Sequence, residues 1–220
     1  VTWVSQNVGL IATLTVDHLR LSLIPIVLGF VIAVPLGWFA QRFAWSRGWV
    51  LGAVGVLYTI PSLALFMVLP PVLGIPILSE TNVIIALTIY AVAIMVRQAA
   101  DAFSSIEPGT LRSATAMGFA EWGRFFHVEL PLAGPVLLAG LRVVAVSTVS
   151  LVTVGVLVGV PSLGFFFTDG FQRRIVPELV TGVVMTFLVA MAIDGLLVLV
   201  GRWLLPWSKL TAASHKKAVA

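Results

Sequence analysis

A chain of 220 residues that is 60% hydrophobic and only 10% charged, with a mean hydropathy of +1.10, carries more apolar surface than one soluble core of this size can hide, so it belongs in a bilayer. With no cysteine, disulfide frameworks, thiol catalysis and cysteine-ligated metals are excluded. The net charge of +4 comes from basic residues scattered singly, with doublets only at Arg173-Arg174 and Lys216-Lys217, which argues against a nucleic-acid surface and for a membrane-side charge bias.

Residues 1–19 mix Trp3, Val4, Leu10, Ile11, Leu14 and Val16 with Gln6, Asn7, Asp17 and His18. This pattern predicts an interfacial helix rather than a span, and it shows no basic leader or small-residue cleavage site of a signal peptide. A spanning helix needs about 20 apolar residues, because a core of roughly 30 Å is crossed at 1.5 Å per residue. Five stretches meet or approach this: Leu21 to Ala40, Val50 to Gly74, Asn82 to Val96, Pro135 to Val160 and Leu179 to Leu204. The third is short and borrows Arg97 and Gln98 as snorkelling ends. In the second, Pro61 removes one backbone hydrogen bond near mid-span, with the hydroxyls of Thr59 and Ser62 beside it. Thr59, Pro61 and Ser62 are therefore candidate pathway residues; a kink that only adapts packing is the other reading.

Five alternating spans put Arg42, Arg47, Arg97, Arg112, Arg124, Arg202, Lys209, Lys216 and Lys217 on one side and Arg20, Arg173 and Arg174 on the other. The first side is expected to be cytoplasmic, with the N-terminus outside and the C-terminus inside. Trp38, Trp45, Trp49, Trp203 and Trp207 form an aromatic belt at that boundary, which leaves no aromatic cage in view.

Residues 98–134 are the longest polar interval, expected in the cytoplasm. Thr110 is placed to cap a helix from Leu111 to Met117, and Gly118 to supply the left-handed residue that stops it. A second helix is expected from Glu121 to Val128, with Trp122, Phe125 and Phe126 on one side and Glu121 and Arg124 toward another. Pro131 and Pro135 then end it and restart the chain as the fourth span.

Two ionisable residues lie inside the last two spans, Arg142 and Asp194, each roughly 10 to 12 Å from the cytoplasmic end at 1.5 Å per residue. Matching depth predicts an ion pair, since an isolated intramembrane charge is costly. It serves either as a latch near the inner mouth or as a static packing pair. Gly155, Gly159 and Gly164 permit close helix approach or a re-entrant turn. The loop VPSLGFFFTDGFQRRIVPE, expected outside, can meet a partner protein or dip Phe165 to Phe167 into the interface. His18, His127 and His215 are isolated, without a metal or catalytic spacing. The tail after Trp207, with its lysines, is expected to touch anionic lipid or to set topology.

The segment Arg112-Ser113-Ala114, three residues, Gly118, nine residues, Val128-Glu129-Leu130-Pro131 resembles the cytoplasmic-loop signature of permease subunits of ATP-binding-cassette importers, which reads E-A-A, three residues, G, nine residues, I-x-L-P. Arg112 stands where that family has an acidic residue. YTIPSLALFMVLPPVLG, VELPLAGPVLLAGLR, PSLGFFFTDGF and AMAIDGLLVLV extend the likeness, from about His18 to Pro206, to permeases for glycine betaine, choline and related osmoprotectants. The resemblance implies an all-α integral membrane protein of the type I importer permease fold, one domain over residues 1–220, in a bacterial inner membrane. It implies that Thr110, Arg112, Ser113, Ala114, Met117, Gly118, Glu121 and Pro131 form a docking loop for a separate ATPase subunit, and that selectivity rests mainly on an extracytoplasmic binding protein. A second permease subunit, identical or paralogous, is expected because five spans enclose a solute path poorly. No G-x-x-x-x-G-K-[ST] run occurs, so ATP and magnesium belong on the partner and this chain is a transport subunit, not an enzyme. Alternatives are the same machine carrying methionine or another polar amino acid, a secondary transporter or channel, and a scaffold.

Overall fold

The computed structural model describes residues 2–207, all of them in helices or short connections. The lipid-touching tail expected after Trp207 falls on residues 208–220, outside that range.

After a short helix α1 (Thr2–Gln6), helix α2 runs unbroken for 35 residues, Val8–Arg42. The separate interfacial helix expected over residues 1–19 is therefore corrected: most of it is the first part of the first span. Ile11, Leu14, His18, Leu21 and Pro25 are buried on one stripe at helical spacing, and that packing continues the helix through the polar residues. Arg20 is compensated by an ion pair to Glu80 at 2.9 Å. His18 is buried, with its Nε2 hydrogen-bonded to the Val149 carbonyl at 3.1 Å.

The second span is two helices, α3 (Ala44–Thr59) and α4 (Ser62–Leu73), meeting at 105°. Pro61 is thus a break rather than the mid-helix kink expected. Ile60 and Pro61 are extended, at ψ 127 and 136, as a residue before proline and an N-cap prefer. The Tyr90 hydroxyl takes up the freed Ile60 carbonyl, and Thr59 turns its hydroxyl back to Val56.

Helix α5 (Glu80–Ser104) starts at Ser79, whose side chain accepts from the Asn82 amide. It is longer than the third span read from sequence. Ala99, Ala100, Ala102 and Phe103 are buried and carry the helix past Arg97 and Gln98, so those two lie within it and not at its end. An added Cβ on Gly29 would lie 2.5 Å from the Ala91 side chain and one on Gly37 2.4 Å from that of Ala99, a small-residue seam that brings α2 and α5 backbone to backbone.

The same contacts give direction. Gly29 with Ala91, Gly37 with Ala99 and Arg20 with Glu80 rise together in number, so α2 and α5 are parallel. Between two parallel helices the bent pair must cross once; a re-entrant hairpin would return α5 antiparallel. Helix α8 (Leu130–Val152) runs against α5, with Gly140 at Gln98 and, just past its end, Gly155 at Val83. Helix α10 (Val176–Leu204) runs against α8, with Gly201 at Leu138. The described chain therefore makes five crossings, and the start of α2 and the end of α10 lie at opposite ends of the bundle. Val180, Val183, Phe187, Leu188 and Met191 stand exposed along α10, an outward apolar face suited to lipid.

Between α5 and α8 come α6 (Pro108–Ala116), α7 (Glu121–Arg124) and a π turn, Phe125–Glu129. Two expectations change. The first loop helix starts at Pro108 with Glu107 as N-cap, so Thr110 sits in the first turn and caps nothing. Pro131 and Pro135 do not end the second: α7, the π turn and α8 form one rod. The wider turn sits just ahead of Pro131, at the first turn of α8, where the missing amide and the ring are accommodated.

Beyond α8 a 3-10 turn (Thr153–Val158) and a tight corner lead to α9 (Phe165–Arg173). The expected close approach occurs at Gly164, where a Cβ would be 2.0 Å from the Thr153 carbonyl oxygen. Phe166 does not dip outward; it is fully buried, edge-on to Trp3 with centroids 5.9 Å apart.

Candidate coupling segment and lateral groove

The end of α6 is a Schellman closure: Gly118, at φ +89, donates to the Thr115 carbonyl and Phe119 donates to that of Ala114, satisfying two terminal carbonyls. Ala114 is buried beneath this corner, while Arg112, Ser113, Met117 and Glu121 are exposed. Met117, 71% exposed, and Trp122, 68% exposed, form an apolar outer surface on the segment.

The inner side is fastened by charge. Arg124 donates from Nε to Glu129 at 2.6 Å and from Nη1 to the Thr115 hydroxyl at 3.0 Å, tying α7 back to α6. Glu129 accepts a second bond from Trp38 Nε1 on α2, also 2.6 Å. The Arg124 and Glu129 side chains are 12% and 6% exposed, so this pair is desolvated and each charge needs its partners. Trp38 meets Phe125 edge-on and lies tilted against Trp122, and Arg42 reaches Glu121 at 2.8 Å. The segment is thus a rigid corner riveted to the end of α2 and continuous with α8. Sequence reasoning missed the contact of Glu129 with Trp38, because 91 residues separate them and only folding brings them together.

Along one flank of the bundle lies an open groove. Its upper end, about 560 Å³, is lined by Tyr58, Ser62, Tyr90, Ser147 and Ser150. It continues, through Tyr58 and Ser147, to about 360 Å³ beside Gly55, Arg97 and Gln98. Ser147 also faces a third section, about 430 Å³, at Arg142 and Asp194. Arg142 and Asp194 form a bidentate pair, Nε to Oδ1 at 2.6 Å and Nη2 to Oδ2 at 2.8 Å, on the groove wall. Of the three residues around the helix break, Ser62 lines the groove; Thr59 and Pro61 do not. The two tyrosines went unread, although they are the only two in the chain and both fall inside spans.

Residues 26–209 match the family described as binding-protein-dependent transport system inner membrane component. The chain belongs to that family. Among similar proteins of this permease kind are the osmoprotectant import permease protein OsmW of Salmonella typhimurium strain LT2, 32% identical over 87% of this chain and 90% of its own, and the glycine betaine/carnitine/choline transport system permease protein OpuCB of Bacillus subtilis strain 168, 30% identical over 93% of each. Among solved structures, the methionine transporter MetNI in inward-facing conformations aligns with a TM-score of 0.73 at 22% identity, over 87% of this chain and 96% of its own. The fold is accordingly that of a type I importer permease, and the protein is a multi-pass membrane protein.

Proposed function

We propose that the chain is the membrane-spanning permease subunit of an ATP-driven importer for glycine betaine, choline or related osmoprotectants. The observation that carries this is the riveted corner at Gly118. It is stiff, presents Met117 and Trp122 outward, and is held at once to α2 and α8, so force applied to it reaches two membrane helices. A separate ATPase subunit binds this surface on the cytoplasmic side and closes on ATP. An extracytoplasmic binding protein delivers solute at the opposite end, near α9. A second permease subunit, identical or paralogous, covers the lateral groove and completes an alternating-access path. The relatives named for osmoprotectant, betaine, carnitine and choline transport support this cargo class.

The test is reconstitution of the chain in vesicles with a candidate ATPase and binding protein. Added glycine betaine or choline is expected to raise ATP hydrolysis and to be taken up, while methionine does neither. Uptake without the ATPase, or no association with it, overturns the proposal.

A further inference from the structure

We infer that the stretch of groove between Tyr90 and Arg97 is a solute subsite built for a zwitterion: a quaternary ammonium group at the tyrosines and a carboxylate at the arginine. The inference rests on the permease reading above and adds a place within the chain where the solute pauses.

Two features at opposite ends of that stretch lead to it. At one end, Tyr58 is 57% exposed and stands edge-on to Tyr90, centroids 6.4 Å apart and planes 78° apart. The Tyr90 hydroxyl is spent on the Ile60 carbonyl, which fixes its ring, and the exposed Tyr58 ring faces the groove. Aromatic faces of this kind attract quaternary ammonium groups. At the other end Arg97 is exposed into the groove and has no hydrogen bond or ion pair among the described residues. Its Nη2 would lie 3.9 Å from a Cβ on Gly55, so the guanidinium lies against the Gly55 face of α3. An unpaired arginine inside a spanning helix must meet water or an anion. Among the residues lining these three sections of the groove the carboxylate is Asp194, and it is committed to Arg142 by two bonds.

Arg97 and Tyr90 are seven residues apart on α5, about 10 Å at 1.5 Å per residue, and therefore on one face. Tyr58 lines both sections and stands between them. A carboxylate seated on Arg97 leaves the rest of a short zwitterion lying along Tyr58, with Ser147 beside it. A cation such as choline engages the rings but gives Arg97 no counter-charge. With one open ring, Tyr58, backed by the buried Tyr90, and an open side, binding here is weak, as a transit site requires.

The test uses the complete complex in vesicles, with uptake of glycine betaine and of choline measured in parallel and assembly with the ATPase checked for each variant. Arg97→Gln is expected to lower betaine uptake at least tenfold relative to choline, and Arg97→Lys to restore part of it. Tyr58→Leu is expected to lower uptake of both solutes several-fold, and Tyr58→Phe to keep it. On the wild-type permease–ATPase complex without binding protein, saturation-transfer NMR is expected to show contact between aromatic protons and the betaine methyl groups, lost in Tyr58→Leu. Equal effects of Arg97→Gln on both solutes, normal uptake by Tyr58→Leu, or no saturation transfer to wild type overturns the subsite. A wild-type complex that takes up neither solute refutes the permease assignment itself.

Discussion

Replacing Glu129 by Gln tests the rivet that joins the coupling segment to α2. The carboxylate accepts from Arg124 and from Trp38, each at 2.6 Å, and its side chain is 6% exposed. The amide keeps one acceptor and turns a donor toward one of two N–H groups, so one charge-assisted bond, about 1.5 to 3 kcal/mol, is lost. Breaking a buried pair from one side raises the cost to about 3 to 5 kcal/mol, because Arg124 remains desolvated. A loss of about 3 kcal/mol shifts the docked-to-loose equilibrium of the segment by roughly 10²-fold. Met117 and Trp122 themselves are kept on the outer surface, so ATPase binding should persist while its closure no longer pulls α2. In reconstituted vesicles, solute taken up per ATP hydrolysed should fall at least tenfold, with hydrolysis itself retained. The double variant Arg124→Gln with Glu129→Gln, which removes both charges, should recover part of that ratio, as a coupled pair requires. An unchanged ratio for Glu129→Gln, or no recovery in the double variant, refutes the reasoning.

Other outcomes follow from single positions. Gly118→Val places a β-branched residue at φ +89, where strain of about 1 to 2 kcal/mol or more is expected though space is open; ATPase affinity should fall, measured by co-purification against wild type. Asp194→Asn breaks the bidentate pair on the groove wall and should lower uptake while permease–ATPase assembly stays normal; normal uptake removes the latch and leaves a packing pair. Gly37→Val overfills the seam between α2 and α5, where even a Cβ meets Ala99 at 2.4 Å, and should cost about 1 to 3 kcal/mol, seen as a lowered melting temperature in detergent.

The corner at Gly118 was legible because its spacing to Pro131 and its left-handed need are local facts of sequence. The pairing of Arg142 with Asp194 was legible because depth along a helix can be counted. What stayed hidden depends on neighbours far along the chain. The stretch Val8 to Leu19 resembled an interfacial helix because Asp17, His18 and Arg20 interrupt its apolar run, yet His18 meets Val149 and Arg20 meets Glu80. Prolines 131 and 135 looked like stops because the π turn that accommodates the first of them has no simple periodic signature. The right-angled break at Pro61 depends on Tyr90, 30 residues on from Ile60, supplying the missing donor. The groove exists only where α3, α5, α8 and α10 leave a flank uncovered, which periodicity within one helix does not reveal.

The most direct measurement exploits the absence of cysteine: Met117→Cys places a single thiol on the proposed docking surface. In sealed vesicles of known orientation, a membrane-impermeant thiol reagent should label it only from the cytoplasmic face, and bound ATPase should protect it. Labelling from the opposite face, or labelling that the ATPase leaves unchanged in the assembled complex, would contradict the account.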